Sequence, residues 1–312
     1  MKKFREKLLY NRAKEHLHHL LQKYNIQKKK ILLALSGGSD SVFLGTLLAK
    51  ELPKELLLVA HFDHRLRKSS MHDAEFCKEW AQKNALCFFS EQWENPEDSE
   101  EKARNARQAF LFSLAKHEGV EAIALGTHGD DNAETIFHHF LRGSGAKGLS
   151  GILEFHAETQ LFRPILPFRK QEILSFLAEE KITFCEDETN SSSRYTRNFL
   201  RNEVFPLLQT RFPDFRENLL RQAEIFRRQS NFCEQSAEKF LEEQKEYISR
   251  KEFLYLPEAV QTEAIRQLFA PKNLDFSQIE NVRAFFCIGK SGKKMLLCGK
   301  KISLFSDGIF LE

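Results

Sequence analysis

Between residues 31 and 141, short apolar runs alternate with segments that carry apolar residues at helical spacing. The apolar runs, each short enough for one buried strand, are 31–35, 56–62, 86–89 and 122–126. The helical patterns cover 41–51, 71–84, 99–117 and 130–141. Strands that alternate with helices predict right-handed β-α-β units and a parallel sheet with helices on both faces.

The pattern changes after Pro206. Residues 213–247 are typical of one long helix, and 257–269 and 276–286 of two shorter ones. Three β-like runs separated by turn residues follow at 294–298, 301–305 and 309–311. We therefore predict an α/β, Rossmann-like domain at residues 1–210, then a helical linker and a smaller α+β domain at 211–312.

Polar strings follow three of the predicted strands, at residues 36–41, 61–67 and 127–131. In open α/β sheets, ligands bind at the carboxyl ends of the strands. The three strings are thus the first place to look for a functional site.

The first string is typical of a loop that binds phosphate. Two glycines permit a tight turn, serine hydroxyls donate hydrogen bonds, and the start of a helix favours an anion. Its aspartate is a candidate ligand for a divalent cation. The alternative is a structural turn that caps a helix. The residues of the string are Ser36, Gly37, Gly38, Ser39, Asp40 and Ser41.

The third string continues into an acidic helix start. Asp130, Asp131 and Glu134 are three or four residues apart, so that a helix places them on one face. Such a face can hold a cation, which would be magnesium, a lysine ammonium or both. The alternative is a set of acids that complements the helix dipole.

Three other segments have weaker signals. His61, Asp63 and His64 could suggest a metal site, but no further ligand set accompanies them. Arg104 and Arg107 lie three apart on one predicted helix face. The G-x-G-x-x-G string at 143–148 follows a helix, whereas a dinucleotide fingerprint follows a strand, so this reading is rejected.

Composition excludes several classes of protein. The six cysteines contain no C-x-x-C pair, which argues against a zinc ribbon, an iron–sulfur site and a disulfide scaffold. No apolar run is long enough to span a membrane, and the N-terminus lacks the apolar core of a signal peptide. We expect a cytoplasmic protein without a membrane partner. The net charge of +3 is uninformative, although arginines are dense between residues 163 and 228.

The strings, taken in order, resemble those of the tRNA(Ile)-lysidine synthetases, which belong to the N-type ATP pyrophosphatases. The resemblance rests on S-G-G-x-D-S at 36–41, H-x-D-H-x-L-R at 61–67, A-R-x-x-R at 103–107, D-D-x-x-E-T at 130–135, R-G-S-G-x-x-G-L at 142–149, and E-D-x-T-N with R-N-x-L-R between 186 and 201. Thr127 and Gln108 replace the histidine and the tyrosine of that family's pattern.

The resemblance implies an enzyme that uses ATP and Mg²⁺ to join L-lysine to the wobble cytidine of a tRNA(Ile) with a CAU anticodon. The implied catalytic residues are Asp40, Arg104, Arg107, His128, Asp131 and Glu134. ATP is assigned to residues 36–41 with His61 and Asp63, magnesium to Asp40, and lysine to Asp131 and Glu134. Contacts with tRNA are assigned to Arg142, Lys147, Arg194, Arg197 and Arg201.

Three alternatives stay open at this point. A tRNA thiolase of the same superfamily would need cysteine pairs, and an amidotransferase-type synthetase would need a partner that produces ammonia. A catalytically silent tRNA-binding protein would not need Asp40, Asp131 and Glu134, all of which are present. The resemblance also leaves a homodimer open.

Overall fold

The computed structural model describes residues 2–65, 70–94, 96–97, 99–185, 196–244, 247–306 and 308–311. The chain divides into two compact units. The first unit comprises Met1–Gly143 and Gly151–Arg221, and the second comprises Ser144–Ser150 and Gln222–Glu312.

The first unit contains a six-stranded sheet and the helices around it. Its strands are β1 (Ile31–Ala34), β2 (Leu57–Asp63), β3 (Cys87–Gln92), β4 (Ala122–Ala124), β5 (Phe155–His156) and β6 (Leu161–Phe162). Its helices before β5 are α1 (Lys2–Lys23), α2 (Ser39–Glu51), α3 (Ser70–Lys83), α4 (Glu100–Glu118) and α5 (Gly129–Leu141). After β6 come α7 (Lys170–Glu179), α8 (Thr196–Phe199), a π-helical turn (Leu200–Val204) and α9 (Phe205–Arg211).

The strand order is β3-β2-β1-β4-β6-β5, and all neighbours are parallel except β5 and β6. The predicted α/β fold with a parallel sheet is confirmed. The pattern analysis did not anticipate α7 or the β5–β6 hairpin, whose two-residue strands are too short to show a period.

Burial on both faces explains why the strands are continuous apolar runs. Ile31 and Leu33 of β1 pack into one core with α1, α2 and α7, while Leu32 packs into a second core against α4. In β2 and β3 the polar residues, among them His61, Asp63 and Ser90, lie in the carboxyl-terminal halves of the strands, so the candidate chemistry is concentrated toward that edge of the sheet.

The second unit is smaller and contains an antiparallel sheet of order β7-β10-β9-β8. Its strands are β7 (Ile248–Ser249), β8 (Lys294–Leu297), β9 (Lys300–Leu304) and β10 (Gly308–Leu311). Its helices are α6 (Ala146–Leu149), α11 (Arg250–Tyr255), α12 (Glu258–Phe269) and α13 (Phe276–Ile288), together with most of α10 (Phe215–Glu243). The predicted α+β character of this region is confirmed.

The border between the units lies inside α10, whereas the sequence pattern placed a boundary at residue 210. Phe215 and Leu220 at the start of α10 pack with Leu200 and Phe205 of the first unit. One continuous helix can thus contribute apolar residues to two hydrophobic cores. The change in the sequence pattern marks where this helix begins and does not mark where the first unit ends. Among the described helices, none is long and apolar enough to cross a membrane.

Candidate active site

The Ser36–Ser41 loop connects β1 to α2 and is held by its own hydroxyls. Ser41 Oγ donates to the carbonyl of Gly38 at 2.9 Å and accepts from the N–H of Ser36 at 3.1 Å. Gly38 is the N-cap of α2, so the first N–H groups of this helix lie in the loop. The loop therefore combines a helix N-terminus with serine hydroxyls, an arrangement that favours anions.

Glycines let two other segments approach this loop closely. Gly37 has φ +88°, and a Cβ there would lie 3.2 Å from Sγ of Cys185 and 3.5 Å from Sγ of Cys77. A Cβ on Gly126 would lie 2.9 Å from the backbone nitrogen of Ser41. The β4–α5 connection can thus pack directly on the loop backbone, which brings residues 127–134 to the loop.

His128 links the loop to the acidic helix start. It is the N-cap of α5, where its Nδ1 accepts from the N–H of Asp131 at 3.4 Å and its own N–H donates to Oδ2 of Asp131 at 3.1 Å. Because Nδ1 accepts, the hydrogen-bond pattern assigns the ring proton to Nε2. Nε2 lies 3.7 Å from Oδ2 of Asp40 and 3.5 Å from Oδ2 of Asp131.

Asp131 and Glu134, hereafter the acidic pair, share one face of α5 as predicted, and Arg201 contacts both. Arg201 Nε donates to Oε1 of Glu134 at 2.6 Å, and Nη2 donates to Oε2 at 2.8 Å and to Oδ1 of Asp131 at 3.0 Å. Burial raises the pKa of Glu134, and the contact with Arg201 offsets only part of this rise. Burial would lower the pKa of Arg201, but the two carboxylates reverse this and raise it.

Lys170, which the sequence analysis did not single out, also reaches the loop. Its Nζ lies 2.6 Å from Ser39 Oγ and 2.8 and 2.7 Å from the two carboxylate oxygens of Asp40. Its backbone N–H donates to Asp130 at 2.8 Å, and the other oxygen of Asp130 accepts from Arg216 at 2.9 Å. Asp130 is therefore bound by α7 and α10 and not by Arg201, so the prediction of one shared acidic face was wrong for Asp130 and right for Asp131 and Glu134.

A cleft of about 440 Å³ adjoins the loop, within the size range of small-molecule sites. Ser36, Asp40, Ser41, His61, Asp63 and Arg107 are among its lining residues. Three buried atoms on this wall have no hydrogen-bond partner among the described residues: Nε2 of His61, Oδ2 of Asp63 and Nε of Arg107. Buried polar atoms are normally satisfied, so the cleft wall is suited to a polar ligand.

Arginines give one side of the first unit a concentrated positive charge. Burial, and then the charge of Arg104, lower the pKa of Arg107. The same causes in the same order lower the pKa of Arg163 to about 10. Arg107 lines the cleft, whereas Arg104 is exposed and is not among the residues that line it. Of the two arginines predicted to meet phosphate, Arg107 is therefore the better placed.

The residues predicted to bind tRNA are dispersed. Arg142 is exposed at the C-cap of α5, and Lys147 on α6 pairs with Glu234 at 2.8 Å in the second unit. Arg201 contacts the acidic pair, as described above. Arg194 lies outside the described residues, as do 66–67 and 186–190 of the family strings, and the side chain of Arg197 is likewise not described.

The structure thus gathers Asp40, His128, Asp131 and Glu134 around the loop, with His61, Asp63 and Arg107 on the adjoining cleft. Sequence reasoning missed Lys170, Arg216 and the two cysteines at Gly37. Cys185 also brings its Sγ within 4.8 Å of ligand atoms of His72 and Asp73, which cysteine spacing along the chain could not reveal. The contacts of Lys170 with Asp40, of Arg216 with Asp130 and of Cys185 with Gly37 join residues at least 86 positions apart, so no local motif could signal them.

Comparisons with known proteins agree with this geometry. A family model described as a PP-loop domain matches residues 9–208. A tRNA(Ile)-lysidine synthase from Enterococcus faecalis is 36% identical over 223 residues, which cover 69% of this chain and 46% of the relative. One from a Thermotoga species is 35% identical and covers 68% of this chain and 53% of the relative. The chain spans about half the length of these two relatives.

A tRNA(Ile)-lysidine synthase from a Nostoc species is 33% identical, and the match covers 72% of this chain and 68% of that relative. Among solved structures, a U34-tRNA thiolase from Methanococcus maripaludis superposes with a TM-score of 0.59 over 70% of this chain and 78% of its own. At 14% identity this likeness concerns the fold alone. By the match to its PP-loop domain and to these relatives, the chain belongs to the tRNA(Ile)-lysidine synthase family.

Proposed function

We propose that this chain uses ATP to join L-lysine to the wobble cytidine of tRNA(Ile) with a CAU anticodon, and that it does so in the cytoplasm. The observation that carries the proposal is that the anion-binding loop and the acidic pair lie next to each other. His128 lies within 3.7 Å of Asp40 in the anion-binding loop and within 3.5 Å of Asp131 in the acidic pair. A triphosphate and an amine can therefore be held beside each other, as the reaction requires.

ATP is assigned to the Ser36–Ser41 loop and the adjoining cleft. The loop offers the N-terminus of α2 and serine hydroxyls to the phosphates. The unsatisfied atoms of His61, Asp63 and Arg107 provide both acceptors and a cationic donor for the rest of the nucleotide. Arg107 is half-buried and its Nε is fully buried, so its charge is only partly screened, and it can stabilise negative charge at the α-phosphate.

Magnesium fits the donor set at Asp40. Both oxygens of this carboxylate already face a cation, the ammonium of Lys170, and hard oxygen ligands are those that Mg²⁺ prefers. When bound, the ion would neutralise charge on the phosphates. The residues that would hold it are Asp40 and the phosphate oxygens of the nucleotide.

The reaction consists of two displacements. In the first, the ring carbonyl oxygen of the cytidine forms a bond to the α-phosphorus, the bond between the α- and β-phosphates breaks, and pyrophosphate leaves. In the second, the ε-amine of lysine forms a bond to the activated ring carbon, the bond from that carbon to the AMP oxygen breaks, and the amine loses a proton. The products are lysidine, AMP and pyrophosphate.

Lysine is assigned to the acidic pair. Carboxylates that bind its ammonium also oppose the loss of its proton, and Arg201 reduces this opposition. The free ε-amine has a pKa near ~10.4 and attacks only after it loses a proton, whereas nearby carboxylates favour the charged ammonium. Arg201 offsets part of the negative charge of Asp131 and Glu134. The site therefore attracts the ammonium less strongly than two free carboxylates, and either acid can accept its proton.

The tRNA contacts are assigned to Arg142, Lys147, Arg194, Arg197 and Arg201. Lysine and arginine side chains contact phosphates irrespective of sequence, so these residues position the tRNA. Nε and Nη2 of Arg201 are bound to the acidic pair, so a tRNA phosphate would compete with these carboxylates for the two nitrogens.

The test is transfer of radiolabelled lysine to an isoleucine-tRNA transcript with a CAU anticodon. We expect incorporation that requires ATP and magnesium and is lost when the wobble cytidine is replaced. Asp131→Asn should raise the lysine concentration required, while tRNA-dependent release of pyrophosphate continues. Pyrophosphate release without lysine transfer would support the proposed adenylation step and would exclude lysine as the nucleophile of the second step. ATP turnover that does not depend on tRNA would contradict the proposal.

A further inference from the structure

Lys170 occupies an unusual position for a lysine. It is the first residue of α7, where the partial positive charge of a helix N-terminus disfavours a cation. Its ammonium also contacts Ser39 and Asp40 in the first turn of α2. Two helix N-termini and one ammonium thus meet at one point of the first unit, which makes that point strongly attractive to anions.

The backbone of Lys170 is held in place from two sides. Arg169 is the N-cap of α7, and its backbone N–H donates to Oε2 of Glu172 at 2.9 Å, which helps to fix the first turn of the helix. The N–H of Lys170 donates to Asp130, which is itself bound by Arg216. The ammonium is therefore a positioned group, although the side chain is 39% exposed and can exchange partners.

Asp40 can bind either the ammonium of Lys170 or a divalent cation, since both would contact the same two carboxylate oxygens of Asp40. If Mg²⁺ takes those oxygens together with ATP, the ammonium loses its partner at the moment when a triphosphate enters the adjacent loop. The nearest new anion for Lys170 is then the triphosphate, because Ser39 Oγ, only 2.6 Å from Nζ, belongs to the phosphate-binding loop itself.

We propose that Lys170 binds the β- and γ-phosphates of ATP and, without nucleotide, pairs with Asp40 and so keeps the magnesium ligand in place. The inference rests on the proposed use of ATP at this loop. It makes Lys170 a nucleotide-binding residue supplied by α7, some 130 positions from Asp40 along the chain. A lysine that served only as a counter-ion for Asp40 would instead compete with magnesium and weaken the binding of Mg–ATP.

The experiment is calorimetric titration of ATP and of AMP, each with magnesium, into wild-type protein and the Lys170→Met variant. A charge-assisted hydrogen bond to phosphate predicts that the variant binds ATP about 10- to 100-fold more weakly. AMP lacks the β- and γ-phosphates, so its affinity should change by less than about twofold. Lys83→Met, at a lysine side chain that is 78% exposed on α3, is the matched control and should leave both affinities unchanged.

Several outcomes would overturn the inference. ATP binding that is unchanged or tighter in Lys170→Met would make Lys170 a counter-ion only, and an equal loss for ATP and AMP would mean that the loop has collapsed. If the wild-type protein binds neither nucleotide, the proposed use of ATP fails, and the role of Lys170 fails with it.

A second measurement needs no variant and covers the case in which Lys170→Met does not fold. The wild-type protein is acetylated in the presence of ATP or AMP, and modification of each lysine is followed by mass spectrometry. We expect ATP to protect Lys170 and AMP not to protect it, with Lys83 as the internal reference. Equal modification of Lys170 with either nucleotide contradicts a contact with the β- and γ-phosphates.

Discussion

Substitution of Arg201 by methionine is expected to destabilise the first unit in a manner that depends on pH. Arg201 donates to both oxygens of Glu134 and to Asp131, and the Glu134 side chain is only 4% exposed. Methionine keeps much of the aliphatic volume and removes the charge. The variant therefore leaves a buried carboxylate beside a second carboxylate without their cation.

The size of the effect follows from burial. Loss of one partner of a fully buried ion pair costs about 3–5 kcal/mol. Here the Arg201 side chain is 37% exposed, so solvent screens the pair and the cost is reduced to about 2 kcal/mol. For a unit of this size, such a loss lowers the melting temperature by about 4–8 °C.

The dependence on pH has a definite sign. The folded-state pKa of Glu134 is raised above its ordinary value of 4.5, so its contribution to stability is present below 4.5 and is lost as pH rises through the folded pKa. Removal of Arg201 takes away the hydrogen bonds and the charge that lower this pKa. The pKa then rises further, and the loss of stability in the variant grows as pH increases.

Tryptophan fluorescence is a suitable probe because both tryptophans, Trp80 and Trp93, belong to the first unit. Melting curves of wild-type protein and Arg201→Met are compared from about pH 5 to about pH 8, on the alkaline side of the ordinary glutamate pKa, because the pKa of Glu134 is raised. We expect a small difference at the acidic end and the full difference at the basic end.

Two further variants make the reasoning refutable. Arg201→Met combined with Glu134→Gln removes the unpaired charge and should recover most of the lost stability, since a neutral amide can stay buried at lower cost. Arg211→Met removes an exposed arginine from α9 and should melt like the wild type. A loss of the same size at every pH, or no recovery in the double variant, would refute a role for the charge of Glu134.

Three other substitutions test the remaining contacts. Gly126→Ala places a Cβ 2.9 Å from the backbone nitrogen of Ser41 and should weaken ATP binding at least about tenfold in calorimetry. Arg107→Gln should weaken ATP and AMP equally, about tenfold, because both nucleotides carry the α-phosphate. Lys147→Gln breaks an exposed pair with Glu234, so melting should shift by less than about 1 kcal/mol, while filter binding should show weaker tRNA affinity and a shallower salt dependence.

Each of these three predictions has an outcome that would contradict it, and two control variants accompany them. Gly145→Ala, at a φ of −72°, introduces a methyl group whose nearest neighbour lies 3.9 Å away and should preserve ATP affinity. Lys83→Gln on α3 should preserve the salt dependence of tRNA binding. Unchanged ATP affinity in Gly126→Ala, a loss confined to ATP in Arg107→Gln, or an unaltered salt dependence in Lys147→Gln would contradict the respective argument.

Local patterns in the sequence were sufficient for the parallel sheet and for the position of the candidate site. Burial of β1 on both faces requires the continuous apolar run that the sequence shows, and a loop such as Ser36–Ser41 is built from neighbouring residues. The acidic pair is also local, because a helix brings Asp131 and Glu134 to one face whatever surrounds it. The apolar run, the loop and the acidic pair could be predicted because each depends on residues close together in the sequence, and the parallel sheet because such runs alternate with helical patterns between residues 31 and 141.

Only the tertiary structure decided which partners these groups have. Lys170 reaches Asp40, Arg201 reaches Glu134, and Cys185 packs on Gly37 across separations of 67 residues or more. No period or spacing in the sequence encodes these contacts, because they depend on the order of the strands and on the packing of α7 and of the π-helical turn at Leu200–Val204 around the carboxyl edge. The sequence by itself determined the chemistry available at that edge, and the fold determined which charges are paired there before any substrate binds.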